Sequence, residues 1–146
     1  MVEPRWLTEA KRHVGVKEWA AARHNPAIVG FFRAAGFGGI KDDETPWCAA
    51  FVNAVLSESG LIGSGSLLAR SFLKWGEPIS DAKPGAIAVF RRGQAGWQGH
   101  VGFVVGGTPK ALNILGGNQS NAVTIASYSR SKLLGFRWPT AATGGE

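Results

Sequence analysis

Apolar positions recur at helix-like spacing in the first half of the chain and at strand-like spacing in the second. Over residues 4–19, Trp6, Leu7, Ala10 and Val14 share one face with charged residues between them, which predicts an amphipathic helix. Asn25-Pro26 reads as a helix start, with Asn as cap and Pro at the first helical position; Ile28, Val29, Phe31 and Phe32 follow before Gly36. A glycine- and acid-rich loop over 36–44 precedes Thr45-Pro46, which starts a third helix by the same logic, carrying 47–59 and stopped by Gly60. A shorter fourth helix is expected over 66–75. After Pro84-Gly85 the pattern changes to short apolar runs at 86–90, 100–105 and 111–115. An alternating run follows at 122–127, with Val123 and Ile125 on one face, and a last run at 133–138. Helices first and strands later predict an α+β domain, with N-terminal helices packed on one face of a C-terminal antiparallel sheet.

Composition fits one compact unit. The 146 residues are 45% hydrophobic and 18% charged, too apolar for a disordered chain, and no repeat or low-complexity segment interrupts them. A single domain over 1–139 and a small, polar, frayed tail over 140–146 are expected. The net charge of +6 suits a polyanionic partner, but the basic residues are scattered and the densest stretches, Lys11-Arg12-His13 and Arg91-Arg92, are short. A nucleic-acid binder would interleave exposed aromatics with basic residues along a groove, and that pattern is missing. No apolar run approaches a membrane span, and Met1-Val2-Glu3-Pro4-Arg5 does not read as a signal peptide, so synthesis as a soluble cytoplasmic chain is expected.

One cysteine rules out an intramolecular disulfide, and the three histidines lack metal-ligand spacing, so neither a disulfide scaffold nor a zinc site is expected. Asp42-Asp43-Glu44 is an acidic cluster without regular calcium-ligand spacing and reads as a solvated loop. Cys48 is the residue of greatest interest. With Thr45 as cap it falls in the first turn of its helix, where free N–H groups and the helix dipole favour a thiolate and lower a thiol pKa from about 8.5 toward roughly 3.5–7.5. The same cysteine, among Ala49, Ala50, Phe51, Ala54 and Val55, also reads as a small buried hydrophobe. His100 opens a strand after a glycine-containing loop and is the best base; His13 and His24 read as solvated. Asn118, after Leu115-Gly116-Gly117, would face His100 across an antiparallel ladder and accept a hydrogen bond from the ring, although Gly116-Gly117-Asn118 also reads as a plain turn.

These residues together resemble one family. Asp43-Glu44-Thr45-Pro46-Trp47-Cys48-Ala49-Ala50-Phe51-Val52-Asn53, Ala69-Arg70-Ser71-Phe72, Gly99-His100-Val101-Gly102-Phe103 and Leu115-Gly116-Gly117-Asn118-Gln119-Ser120 are similar to the small NlpC/P60-like proteins of bacteria and bacteriophages related to CHAP domains, the cysteine, histidine-dependent amidohydrolases/peptidases. Gly15-Val16-Lys17-Glu18, Asn25-Pro26 and Gly135-Phe136-Arg137 extend the likeness over nearly the whole chain. The resemblance implies a minimal papain-like fold and a cofactor-free enzyme that cuts peptidoglycan amide bonds, in the manner of a phage endolysin or prophage lysis enzyme acting on the wall after release. It implies Cys48 as nucleophile, His100 as base and Asn118 as the orienting residue, with Gln119 one step away; relatives often carry an acid at that third place. Trp47, beside the nucleophile, and Gln119 are the expected substrate-binding residues, with core packing the other reading for Trp47. A non-catalytic wall-binding or phage structural module is the alternative.

Overall fold

A computed structural model describes residues 3–19, 24–40, 46–94, 96 and 98–140. The acidic cluster at 42–44, Thr45 and the tail beyond Thr140 lie outside them. Three α-helices come first: α1 (Arg5–Lys11), α2 (Pro26–Ala34) and α3 (Cys48–Glu58). A 3-10 helix over Ala69–Lys74 stands where a fourth helix was expected. Six strands follow: β1 (Glu77–Ile79), β2 (Ile87–Arg91), β3 (Gly99–Gly107), β4 (Ala111–Gln119), β5 (Ala122–Ser129) and β6 (Leu133–Trp138). The α+β class and the antiparallel sheet are as expected.

The strand order is β1-β6-β2-β3-β4-β5. Strands β2 to β5 form the expected meander, and β6 returns to pair with β2 on its free side. β1 adds to β6, with Pro78 in an edge strand where a missing N–H is tolerated. The alternation of side chains sends odd positions of β2 and β3 one way and even positions the other. Ile87, Val89, Val101 and Phe103 join the helices in the larger core, around Phe31, Phe32, Trp47, Phe51 and Phe72. Ala88, Phe90, Val104, Leu112, Ile114 and Phe136 fill a second core, covered by Ile79, Tyr128, Leu133 and Trp138.

Helix α2 begins as its sequence dictates: the Asn25 side chain accepts from the Ala27 N–H and Pro26 takes the first helical position. Helix α3 begins later than expected. Trp47, at φ −129° and ψ 19°, is its cap residue in place of Thr45, so Cys48 is the first helical residue and still lies in the first turn. Almost all of α3 is buried, because it lies between α1 and α2 on one side and β3 and β4 on the other. Among the described residues, no helix is long and apolar enough to cross a membrane.

Candidate active site

Cys48 leads α3 toward the sheet and is 7% exposed. Burial pushes its thiol above the ordinary range. The backbone N–H groups of Val101, Ala49 and Cys48 itself, together with the charge of Arg92, pull the other way without overcoming it. The depressed thiol expected from the helix terminus is therefore not what this environment produces, because loss of hydration outweighs the dipole.

His100 is the residue before Val101 on β3, the strand whose Val101 backbone N–H meets the Cys48 thiol. Paired with Phe90, His100 projects toward the second core, where its ring stacks on Tyr128 with centroids 4.9 Å apart. Tyr128 stacks in turn on Phe90 at 5.1 Å. The ring is 3% exposed. Burial pushes its pKa down to about 4, against a rise from Gln119, and the Arg92 charge lowers it further. His100 is thus held neutral.

The group that orients the ring is Gln119. Its Oε1 lies 2.8 Å from His100 Nε2 in a buried hydrogen bond. The amide cannot face the other way without loss, because its Nε2 donates to the backbone oxygens of Ile114 (3.2 Å) and Thr124 (2.8 Å) and to Thr124 Oγ1 (3.1 Å). Oε1 is an acceptor only, so the neutral imidazole carries its proton on Nε2 and leaves a lone pair on Nδ1.

Asn118, the expected orienting residue, does not make this bond. The register between β4 and β5 shifts between Gly116 and Gln119, and Asn118 sits at φ 58° inside that irregularity. The extra residue re-aims the strand so that the next side chain meets the ring. A continuous ladder from the Phe103 and Leu115 pair would set Asn118 opposite His100. Local spacing could not have revealed the shift.

Trp47 does not line a groove. It is fully buried, stacks on Phe31 at 5.9 Å, and donates its indole N–H to Glu18 Oε2 at 2.9 Å. The expectation of substrate contact is corrected by this partner, which lies 29 positions away. Gly117 passes so close that a Cβ there would lie 2.7 Å from Phe51 Cβ and 2.7 Å from Trp47 Cζ3. Helix α3 consequently packs directly against the backbone of β4 near Gln119.

Two grooves open around Arg92 and Asn118. One, of about 250 Å³, is lined by His100, Gln119, Tyr128 and the basic residues Arg91, Arg92 and Lys132. The other, of about 490 Å³, runs past Pro46, Leu68, Ala69 and Gly99. They share Arg92 and Asn118. The wall around Leu68 is fixed from α3 by buried Asn53. Its Nδ2 donates to the Ala49 and Ser66 oxygens at 3.0 and 2.9 Å, and its Oδ1 accepts from the Ser64 N–H at 2.7 Å. Tyr128, Arg92 and Asn53 were not singled out from the sequence as site residues; only the Arg91-Arg92 pair and the run containing Asn53 offered a signal.

Away from these grooves, His13 Nε2 lies 2.9 Å from Glu58 Oε1 and 3.7 Å from Glu9 Oε2, bridging α1 and α3. Among the described residues this is the one grouping whose donor atoms, all within 4.8 Å of each other, resemble a metal-ligand set. Sequence spacing concealed it because Glu58 is distant in the chain.

No curated protein matches the sequence. The family model for the CHAP domain matches residues 40–118, a span that takes in all of α3, the strand bearing His100, and β4 up to Asn118. With more than half of its length matched, the chain belongs to the CHAP domain family, whose members are typically peptidoglycan hydrolases.

Proposed function

We propose that this protein is a cysteine-dependent peptidoglycan hydrolase, an endopeptidase or amidase, with Cys48 as nucleophile and His100 as base. The observation that carries this reading is the buried hydrogen bond from His100 Nε2 to Gln119 Oε1, which leaves Nδ1 free to accept a proton. The same bond satisfies a buried N–H, and the three hydrogen bonds that fix the Gln119 amide hold the ring in the one tautomer that can act as base.

The resting pair in this reading is a neutral thiol beside a neutral imidazole. As sulfur attacks the carbonyl carbon, Nδ1 takes the thiol proton and the carbonyl oxygen becomes an oxyanion, which the Cys48 N–H at the start of α3 stabilises. Collapse breaks the C–N bond, and the proton on Nδ1 passes to the departing amine. Water then attacks the thioester, with the same ring as base, releasing the acid and restoring the thiol. An imidazole held neutral by burial is a weak base but a strong conjugate acid, which favours the second proton transfer. Gln119 is the third residue in this scheme, in place of Asn118. A lysis enzyme of phage or prophage type, made inside the host and acting on the wall after release, is the setting this activity fits.

Removing either member of the pair decides the matter. Cys48→Ala and His100→Ala are each expected to lower muropeptide release from isolated sacculi by at least about 10³-fold. Full activity in either variant overturns the mechanism. One observation favours the alternative of a non-catalytic wall-binding module: Cys48 is only 7% exposed. Retained wall binding by the unaltered protein, with no new amino termini released, would decide for that module.

A further inference from the structure

We propose that the groove beside His100 is a carboxylate subsite, in which Arg92, assisted by Lys132, holds a free carboxylate of the wall peptide next to the scissile amide and selects it over the carboxamide form. The inference rests on the hydrolase reading above and specifies its substrate.

The groove carries three cationic side chains, Arg91, Arg92 and Lys132, on walls that also contain His100 and Gln119. Among the described residues, no carboxylate lines it and none pairs with any of the three cations. Three described carboxylates elsewhere, Glu3, Glu9 and Glu58, lie against Lys11, Arg12 or His13 instead. Like charges gathered in one concavity repel one another and hold a field that attracts an anion. The guanidinium fork suits a carboxylate, and charge-assisted pairs of this kind are the strong ones.

Arg92 also lines the second groove, so it stands where the two meet, with His100 on the wall of the first. Its charge acts on Cys48, His100 and Tyr128 alike. A carboxylate seated on Arg92 would offset the field that opposes protonation of His100. Binding of the correct substrate would thereby ease the first proton transfer, which a carboxamide cannot do.

The test separates binding from turnover. In a Cys48→Ala background, calorimetry compares two soluble stem peptides that differ only in carboxylate against carboxamide. The carboxylate form is expected to bind at least about tenfold more tightly, and Arg92→Gln to bring that ratio toward one. Lys132→Gln is expected to reduce the ratio in part. Arg33→Gln, which removes the same charge from the exposed face of α2, is expected to leave the ratio in place. Equal affinity for the two peptides, a preference that survives Arg92→Gln, or no binding of either peptide overturns the subsite. Cleavage of either peptide by the protein with Cys48 intact would leave the hydrolase reading standing in each of those cases.

Discussion

The imidazole of His100 owes its tautomer to the acceptor oxygen of Gln119, and that dependence can be measured. Gln119→Leu removes the Oε1 acceptor and leaves the Nε2–H of a buried ring without a partner, at a cost of about 1–3 kcal/mol. The larger effect is expected on the reaction. With the proton free to occupy Nδ1, the ring cannot accept from the thiol, and kcat is expected to fall on the order of 100-fold with little change in KM. Asn118 lines both grooves without contacting the ring, so Asn118→Ala is expected to move KM more than kcat. Nitrogen chemical shifts of the labelled imidazole distinguish a tautomer change from simple loosening. Should Asn118→Ala be the variant that loses kcat while Gln119→Leu retains it, the assignment of the orienting residue is reversed.

The elements explain why the site forms at this end of the sheet. Helix α3 reaches β4 only because Gly117 presents no side chain to Phe51 and Trp47. Gly117→Ala is expected to destabilise the fold by about 1–3 kcal/mol through overpacking. Gly30→Ala, inside α2 and with nothing within 4 Å of the added carbon, is expected to stabilise it by about 0.5–1 kcal/mol. Urea midpoints check both, and a Gly117→Ala protein as stable as its parent would mean that α3 and β4 are not locked together there. Elements with a local cause were legible in the sequence: Asn25-Pro26 sets the start of α2, and the apolar runs mark β2 to β6. Features with a distant cause were not. β1 is three residues long and contains Pro78, too short for alternation to register. Trp47 is drawn into the core by Glu18 and Phe31, and the choice of Gln119 over Asn118 depends on a register shift against β5. Cys48 and His100 stood out as candidates because of their residue types and neighbours, whereas Tyr128 and Arg92 come to the groove only through the fold.

Across the whole molecule, the first helix and the last strand of the described chain close on one another. Trp6 of α1 donates its indole N–H to the Gly85 oxygen at 2.7 Å and packs edge-on against Trp138 of β6, with centroids 5.1 Å apart. In a cooperative domain a strain at one buried group is therefore felt as a change in global stability. His100 supplies such a strain as the solution is acidified. Its folded pKa of about 4 lies below the ordinary 6.5, so the unfolded chain binds the extra proton first. Its stabilising contribution is complete above pH 6.5 and is lost as pH falls from there toward 4, by up to about 3 kcal/mol from this group alone. Against a typical total of about 5–15 kcal/mol, that loss is large enough to read in a denaturation series. His100→Gln keeps a polar side chain but cannot take up the proton, so between pH 6.5 and 4 its stability is expected to decline less steeply than the parent's. The slopes should differ by close to one proton, about 1.4 kcal/mol per pH unit where the difference is greatest. Parallel curves through that window would mean that the ring takes up its proton without resistance in the folded state. The neutral imidazole that the proposed mechanism needs at rest would then not be maintained by burial.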